Sequence, residues 1–160
     1  MLSLLIGINH YESDGIKDLE GCVNDIEYIS TYLQHCLKVP PQSITTLLSP
    51  SSNTTPNNMI SKTPTLKHII EALELLIKSA KENESILVHF SGHGTRVPTT
   101  HPEFKSNNPL DEALVTMDDT LYTRKLLRDV ELDGYLKQMA ARKQMYSWYS
   151  TAVIREELHD

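Results

Sequence analysis

The segment Leu2–Ile8 constrains the fold more than any other part of this sequence. It is an apolar run that stops at the polar residues Asn9 and His10. A short apolar run without alternation is typical of a strand that is buried on both faces of a parallel sheet. Such a strand needs helices on both sides of the sheet to cover it.

Further strands and helices alternate along the chain. Apolar residues at three- or four-residue spacing predict helices over residues 23–37 and 64–80, the second one capped by Thr63, and a last helix that begins near Asp129. Short apolar runs predict strands over residues 44–48 and 85–90, with a small extra strand over residues 113–117. This order predicts an α/β fold with a mostly parallel sheet between two helical layers.

Length, charge and cysteine content narrow the function classes. The 160 residues form one domain at most, and the net charge of -6 argues against nucleic acid or an anionic membrane as a partner. No apolar run approaches the roughly 20 residues of a membrane span, and no secretory signal is recognisable. Two cysteines, Cys22 and Cys36, cannot form a disulfide framework, so we expect a cytoplasmic protein. Cys36 falls on the apolar side of its predicted helix and is expected in the core.

Two polar segments follow predicted strands, at residues 9–25 and 91–95. Functional groups collect at the carboxyl ends of strands in open α/β sheets. His93 lies between two glycines, which predicts a tight turn with an open imidazole, and histidine can move a proton near neutral pH. A turn histidine without any role is the alternative interpretation.

Four motifs together resemble the metacaspase and caspase-like peptidase domain. They are LLIGIN at residues 4–9, LEGCVND at residues 19–25, VHFSGHGT at residues 88–95 and DEALV at residues 111–115. The resemblance covers roughly residues 2–140. It implies a caspase-like three-layer α/β/α fold, incomplete here, with about three core strands retained.

The resemblance also implies a Cys–His dyad endopeptidase that acts on peptides or proteins. His93 matches the catalytic histidine, while Asp25, Ser91 and Cys22 match positions in or beside the S1-like pocket. An acidic pocket implies cleavage after arginine or lysine. Cys22 is a weak candidate for a substitute nucleophile, because it lies near a helix N-terminus, where the pKa of a thiol tends to fall.

No cofactor is required by this chemistry, but some family members are activated by calcium. Asp111 and Asp129 match two calcium positions, while Val130 stands where the family often has a second adjacent aspartate. Calcium takes six to eight oxygen ligands, so this replacement weakens the site. The alternatives are a loop carboxylate for Asp111 and a helix N-cap for Asp129.

The family's nucleophilic cysteine is expected about 50 residues after the histidine, near Lys143. No cysteine follows Cys36, and residues 143–160 lack the expected apolar strand. The sequence therefore predicts a partial peptidase domain over residues 1–142 and a divergent tail over residues 143–160, read as a fraying helix. Without that strand, the third strand becomes an exposed sheet edge.

Three functions remain open at the level of sequence. The first is a caspase-like cysteine endopeptidase that is inactive or truncated as an incomplete gene product. The second is a non-catalytic caspase-like module that binds and regulates a full-length relative. The third is an unrelated flavodoxin-like or nucleotide-binding domain, although residues 7–10 do not supply the required glycine-rich loop.

Overall fold

The computed structural model describes residues 1–51, 61–105, 109–120, 122–142 and 145–155. The strands in these ranges are β1 (Leu2–Ile8), β2 (Ile44–Ser49), β3 (Ser85–Pro98), β4 (Leu110–Val115), β5 (Leu126–Arg128) and β6 (Met145–Arg155). The α-helices are α1 (Cys22–His35), α2 (Leu66–Ser79) and α3 (Asp129–Ala141). Two short 3-10 helices lie at Pro41–Ser43 and Pro102–Phe104.

The sheet is mostly parallel and lies between two helical layers, as predicted. β1 pairs in parallel with β2 on one side and with β3 on the other, and β6 pairs in parallel with β3. β4 and β5 extend the sheet in antiparallel fashion from the carboxyl end of β3. The apolar residues of α1 pack on one face of the sheet, and those of α2 and α3 pack on the other.

β1 is buried on both faces, because helices cover it from both sides. Leu4, Leu5, Ile6 and Ile8 are all 0% exposed. Leu5 packs in the cluster under α1, whereas the other three pack in the larger cluster under α2. This arrangement explains why the β1 sequence shows no alternation of apolar and polar residues.

The first two of the three predicted helices have other boundaries than the sequence suggested. α1 ends at His35, and Lys38 has a φ of 56°, so the chain turns away before the prolines. Cys36 is therefore exposed, and its predicted place in the core is wrong. α2 is capped by Thr65, whose Oγ1 accepts a hydrogen bond from the N–H of His68 (3.2 Å), rather than by Thr63.

β3 is much longer than the predicted strand over residues 85–90. It continues through residues 91–95, and no described glycine has a positive φ, so the expected tight turn at His93 is wrong. A Cβ on Gly92 would lie 2.9 Å from Cζ of Phe90 and 3.0 Å from Oη of Tyr11. The glycine is therefore needed for close packing rather than for a turn.

Residues of the predicted divergent tail form β6. This strand pairs with β3 from Ser85↔Met145 to Thr95↔Arg155, so the predicted absence of a fourth parallel strand and the predicted fraying helix are both wrong. Trp148 packs against the larger core cluster, which gives the strand an inward face. Among the described residues, β6 and β2 are therefore the outer strands of the parallel part of the sheet, and β3 is paired on both sides.

The remaining differences between the predicted and the observed elements lie in the segment after β3. β4 corresponds to the predicted extra strand, but begins three residues earlier, and β5 was not predicted. α3 starts as expected, but its N-cap is Arg128, so Asp129 is the first helical residue instead of the cap. None of the described helices has the length and apolar character that a membrane crossing requires.

We predict that Gly7→Ala destabilises the protein, because β1 and α1 touch at this glycine. A Cβ there would lie 2.7 Å from Cγ1 of Ile26 and 2.9 Å from the carbonyl oxygen of Cys22. We expect the free energy of unfolding, measured by urea denaturation, to fall by about 1–3 kcal/mol.

Gly134→Ala is the matched control for this substitution. A Cβ on Gly134 would meet no atom within 4 Å, and the residue lies inside α3. Alanine should leave stability unchanged or raise it by up to about 1 kcal/mol. Equal effects of the two substitutions would contradict the proposed close contact between β1 and α1.

Candidate active site

The segment after β1 is held in place by the side chain of Asn9. Its Oδ1 accepts hydrogen bonds from the backbone N–H groups of Cys22 (2.9 Å) and Val23 (3.3 Å). The N-cap residue of α1 is Gly21, which has no side chain to cap the helix. Asn9 therefore takes the role of the cap and fixes the point where α1 starts.

Asp25 lies in the first turn of α1 and contacts Ser91 of β3. Ser91 Oγ donates a hydrogen bond to Asp25 Oδ2 at 2.8 Å. Ser91 is 1% exposed, whereas Asp25 is half-buried. The thiol of Cys22 lies next to Ser91 and interacts with it. The structure thus brings together the three residues that the resemblance implies for the S1-like pocket.

The environment of Cys22 disfavours a thiolate. Burial raises the pKa of the Cys22 thiol, a hydrogen bond with Ser91 lowers it, and the nearby charge of Asp25 raises it again. The net direction is upward, which is opposite to the effect expected from the helix N-terminus. Desolvation outweighs the helix dipole because only 7% of Cys22 is exposed. The thiol is therefore protonated at neutral pH, which argues against a nucleophilic role.

His93 lies two residues beyond Ser91 in β3, so both side chains are on the same face of the sheet. Its backbone N–H donates a hydrogen bond to Tyr11 Oη at 2.8 Å. Its Nε2 lies 2.8 Å from the carbonyl oxygen of Lys17. A carbonyl oxygen only accepts, so Nε2 carries the proton, and in the neutral ring Nδ1 is then an acceptor.

Nδ1 of His93 is buried and has no hydrogen-bond partner among the described residues. The imidazole is therefore fixed in one tautomer, with its acceptor nitrogen free. A general base needs this arrangement, because the free lone pair can take up a proton.

Tyr11 orients His93 from the other side of the site. The two rings are 5.1 Å apart between centroids and tilted by 45°. Burial raises the pKa of the Tyr11 phenol, the hydrogen bond from the backbone N–H of His93 lowers it in part, and the negative charge of Asp18 raises it further. The phenol stays protonated at physiological pH and acts as a neutral hydrogen-bonding group.

β6 runs beside the histidine without supplying a thiol. Its register places Ala152 opposite Gly92 and Val153 opposite His93. The cysteines of the whole chain are Cys22, which is buried, and Cys36, which is exposed at the end of α1. Neither belongs to the strand that lies next to His93.

Asp111 lies in β4 opposite Val97, near the carboxyl end of β3, and Asp129 is linked to it through Lys105. Nζ of Lys105 lies 3.8 Å from Asp111 Oδ1 and 2.5 Å from Asp129 Oδ2. Nη1 of Arg128 lies 2.8 Å from Asp111 Oδ2. The structure therefore brings the two aspartates together around side-chain cations, and their implied role as metal ligands stays a prediction.

The family model "Metacaspase, peptidase C14 domain" matches residues 2–152. This chain belongs to the metacaspase family. The match extends across most of β6, so the strand next to His93 lies within the metacaspase domain. The family match excludes the flavodoxin-like or nucleotide-binding alternative.

Named metacaspases are similar over most of the chain. Metacaspase-1A of Aspergillus oryzae is 34% identical over 116 residues, which are 72% of this chain and 25% of the relative. Metacaspase-7 of Arabidopsis thaliana is 37% identical over 72% of this chain and 26% of its own length. Metacaspase-4 of the same plant is 35% identical over 80% and 28%. The chain therefore spans about a quarter of the length of these curated relatives.

A solved structure supports the fold independently. The crystal structure of protein GSU0716 from Geobacter sulfurreducens superposes with a TM-score of 0.67, over 94% of this chain and 49% of that one. The two sequences are 21% identical, so this likeness concerns the fold alone.

Several residues of the metacaspase site escaped the sequence analysis. Asn9 and Tyr11 were noted only as the end of β1, and Lys17 contributes through its backbone, which leaves no signal in residue type. His89 lies on the same face as Ser91 and has a buried Nε2 without a hydrogen-bond partner among the described residues. Burial lowers the pKa of His89, and the charge of Asp25 raises it in part. A polar residue directly after a buried strand was the available signal for Asn9.

We predict that the two cysteines of this metacaspase domain differ sharply in reactivity. Iodoacetamide at pH 7.5 should modify exposed Cys36 readily, and Cys22 at least about tenfold more slowly, because burial raises the pKa of the Cys22 thiol. The rate at Cys22 should keep rising above pH 9. The measurement is mass spectrometry of the single-thiol variants Cys22→Ala and Cys36→Ala.

Unfolding in guanidinium provides the control, since both thiols should then react at similar rates. Faster alkylation of Cys22 than of Cys36 in the folded protein would contradict the buried, protonated thiol described above.

Proposed function

We propose that this chain is a metacaspase-type cysteine endopeptidase domain that carries the general base and the substrate pocket of a Cys–His dyad enzyme but is inactive as it stands. The observation that carries the proposal is the fixed imidazole of His93 beside a strand that has no cysteine. Its substrates are peptides or proteins, and no cofactor is required.

A Cys–His dyad needs a general base, which this chain has, and a nucleophilic thiolate beside it, which the chain lacks. A thiolate attacks the scissile carbonyl, and the protonated imidazole then transfers its proton to the leaving amine. Nδ1 of His93 is free to receive and return that proton, since Nε2 is engaged with Lys17. The thiolate has no source next to His93. Loss of one member of such a pair lowers turnover by about 10⁴ to 10⁶.

The acidic pocket supports a preference for arginine or lysine before the scissile bond. Asp25 is half-buried, and its Oδ2 is held by Ser91 Oγ at 2.8 Å. A carboxylate that is fixed in this way can pair with a guanidinium or an ammonium group. The free state of both cysteines supports a cytoplasmic location.

Fluorogenic peptides that end in arginine or lysine test the proposal. We expect the purified chain to give no more turnover than its His93→Ala variant, with or without calcium, because the nucleophile is missing. Cys22→Ala serves as the second control and should be equally inactive. Cleavage that is lost in Cys22→Ala would contradict the proposal and make Cys22 the nucleophile.

A second candidate function rests on the open edge of the sheet. In the described part of the chain β6 pairs with β3 alone, and its Met145, Tyr146 and Tyr149 are 58%, 42% and 59% exposed. An exposed edge strand can pair with a strand of another chain. The chain would then bind and regulate a full-length metacaspase as a non-catalytic module.

Co-expression with a full-length metacaspase, followed by pull-down, tests this second function. If β6 is the contact, Tyr149→Lys should lower the recovered partner several-fold, because a charge on an edge strand disfavours pairing. Glu82→Lys is the matched control, since this exposed residue lies outside the strands. Absence of any association, or equal loss in both variants, would remove the support for this function.

A further inference from the structure

The carboxylate of Asp111 is the starting point, because it is 0% exposed and lies against two cations. Nη1 of Arg128 binds Oδ2 at 2.8 Å, and Nζ of Lys105 lies 3.8 Å from Oδ1. A buried carboxylate that lies against a guanidinium and an ammonium group is paired as the anion, and its charge needs this compensation.

Lys105 bridges this buried anion to a second carboxylate. Its Nζ lies 2.5 Å from Oδ2 of Asp129, the first residue of α3, and its side chain is 19% exposed. Two carboxylates thus contact the same ammonium group, and both favour its charged form. Two carboxylates and two cations then sum to zero formal charge.

These residues do not fit a calcium ion. Calcium requires six to eight oxygens at about 2.3–2.6 Å, and the described residues contain no group of three or more acidic, histidine or cysteine side chains that could hold a metal. The position between Asp111 and Asp129 is taken by the ammonium of Lys105. An added divalent cation would meet no net negative charge there.

We propose that Lys105 is an internal cation that takes the place of a metal ion between Asp111 and Asp129. Lys105 belongs to the β3–β4 connection and contacts Asp111 at the start of β4 and Asp129 at the start of α3. These three segments are therefore held together without calcium. Arg128 completes the arrangement, because its Nη1 also donates to the carbonyl oxygen of Pro98 at 3.0 Å. Removal of the ammonium should leave the buried carboxylate of Asp111 short of one cation and destabilise these contacts. Calcium should not restore them, because two carboxylates beside Arg128 offer too few oxygen ligands.

Thermal unfolding in EDTA and in millimolar calcium tests this inference without reference to activity. The melting temperature of the wild type should be the same in both conditions. Lys105→Met keeps the length of the side chain without its charge, and should melt about 5 °C lower in EDTA and in calcium alike. Lys105→Arg, which keeps the charge, should retain most of the melting temperature of the wild type in both conditions.

Lys137→Met is the matched control for the loss of an ion pair. Nζ of Lys137 also lies 2.5 Å from a carboxylate oxygen, that of Asp133, but both side chains are largely exposed. An exposed pair contributes little, so the melting temperature should be unchanged in either condition. This control separates the buried site from a general effect of charge removal.

Two results would overturn the inference. One is a rise of several degrees in the melting temperature of the wild type when calcium replaces EDTA. The other is a Lys105→Met variant that melts at the temperature of the wild type in EDTA. If Lys105→Met does not fold in either condition, terbium luminescence of the wild type tests the inference instead. Absence of terbium binding supports the internal cation. Terbium binding that is abolished by Asp129→Asn refutes it.

Discussion

The geometry around the histidine depends on the hydrogen bonds of one buried residue, Asn9. Its backbone N–H donates to Ser49 at the end of β2 (2.8 Å), and its carbonyl oxygen accepts from the N–H of Leu19 (2.7 Å). Its side chain holds the first N–H groups of α1. Asn9 is 0% exposed, so water cannot replace a partner that is lost, and each unpaired group would cost about 1–3 kcal/mol. Two strands, a loop and a helix are therefore fixed relative to one another by one residue.

The parallel core was predictable because a strand that is buried on both faces is a continuous apolar run in the sequence. β1 and β2 lie where their apolar runs predicted, and the family motifs located Asp25, Ser91 and His93 at one place. The conformation around His93 was not predictable from the same motif. Glycines on both sides indicated a turn, but Gly92 is small because Phe90 and Tyr11 approach it. The approach of Tyr11 joins residues that are distant in the sequence.

The strand β6 was missed because the sequence was compared with the apolar strand that the family pattern implies. The expected strand was apolar throughout, so a sequence rich in tyrosine and serine was read as a tail. A strand that is covered on one face needs apolar residues only there, and Trp148 supplies them toward the core. The cations around Asp111 were equally beyond sequence reasoning, because Lys105 and Arg128 lie 6 residues before it and 17 residues after it in the chain and meet only in the folded protein.

Three residues of the connection between β1 and α1 form contacts that shape the site: Asn9, Tyr11 and Lys17. Tyr11 and Lys17 hold the backbone and the ring of His93, while Asn9 at the start of the connection sets the position of the helix that carries Asp25. Surface connections usually tolerate insertions and deletions, since their ends alone are fixed. This one is fixed in the middle as well. A residue added or removed between Tyr11 and Lys17 would move at least one of the two contacts with His93, so the length of this connection is constrained between its ends as well as at them.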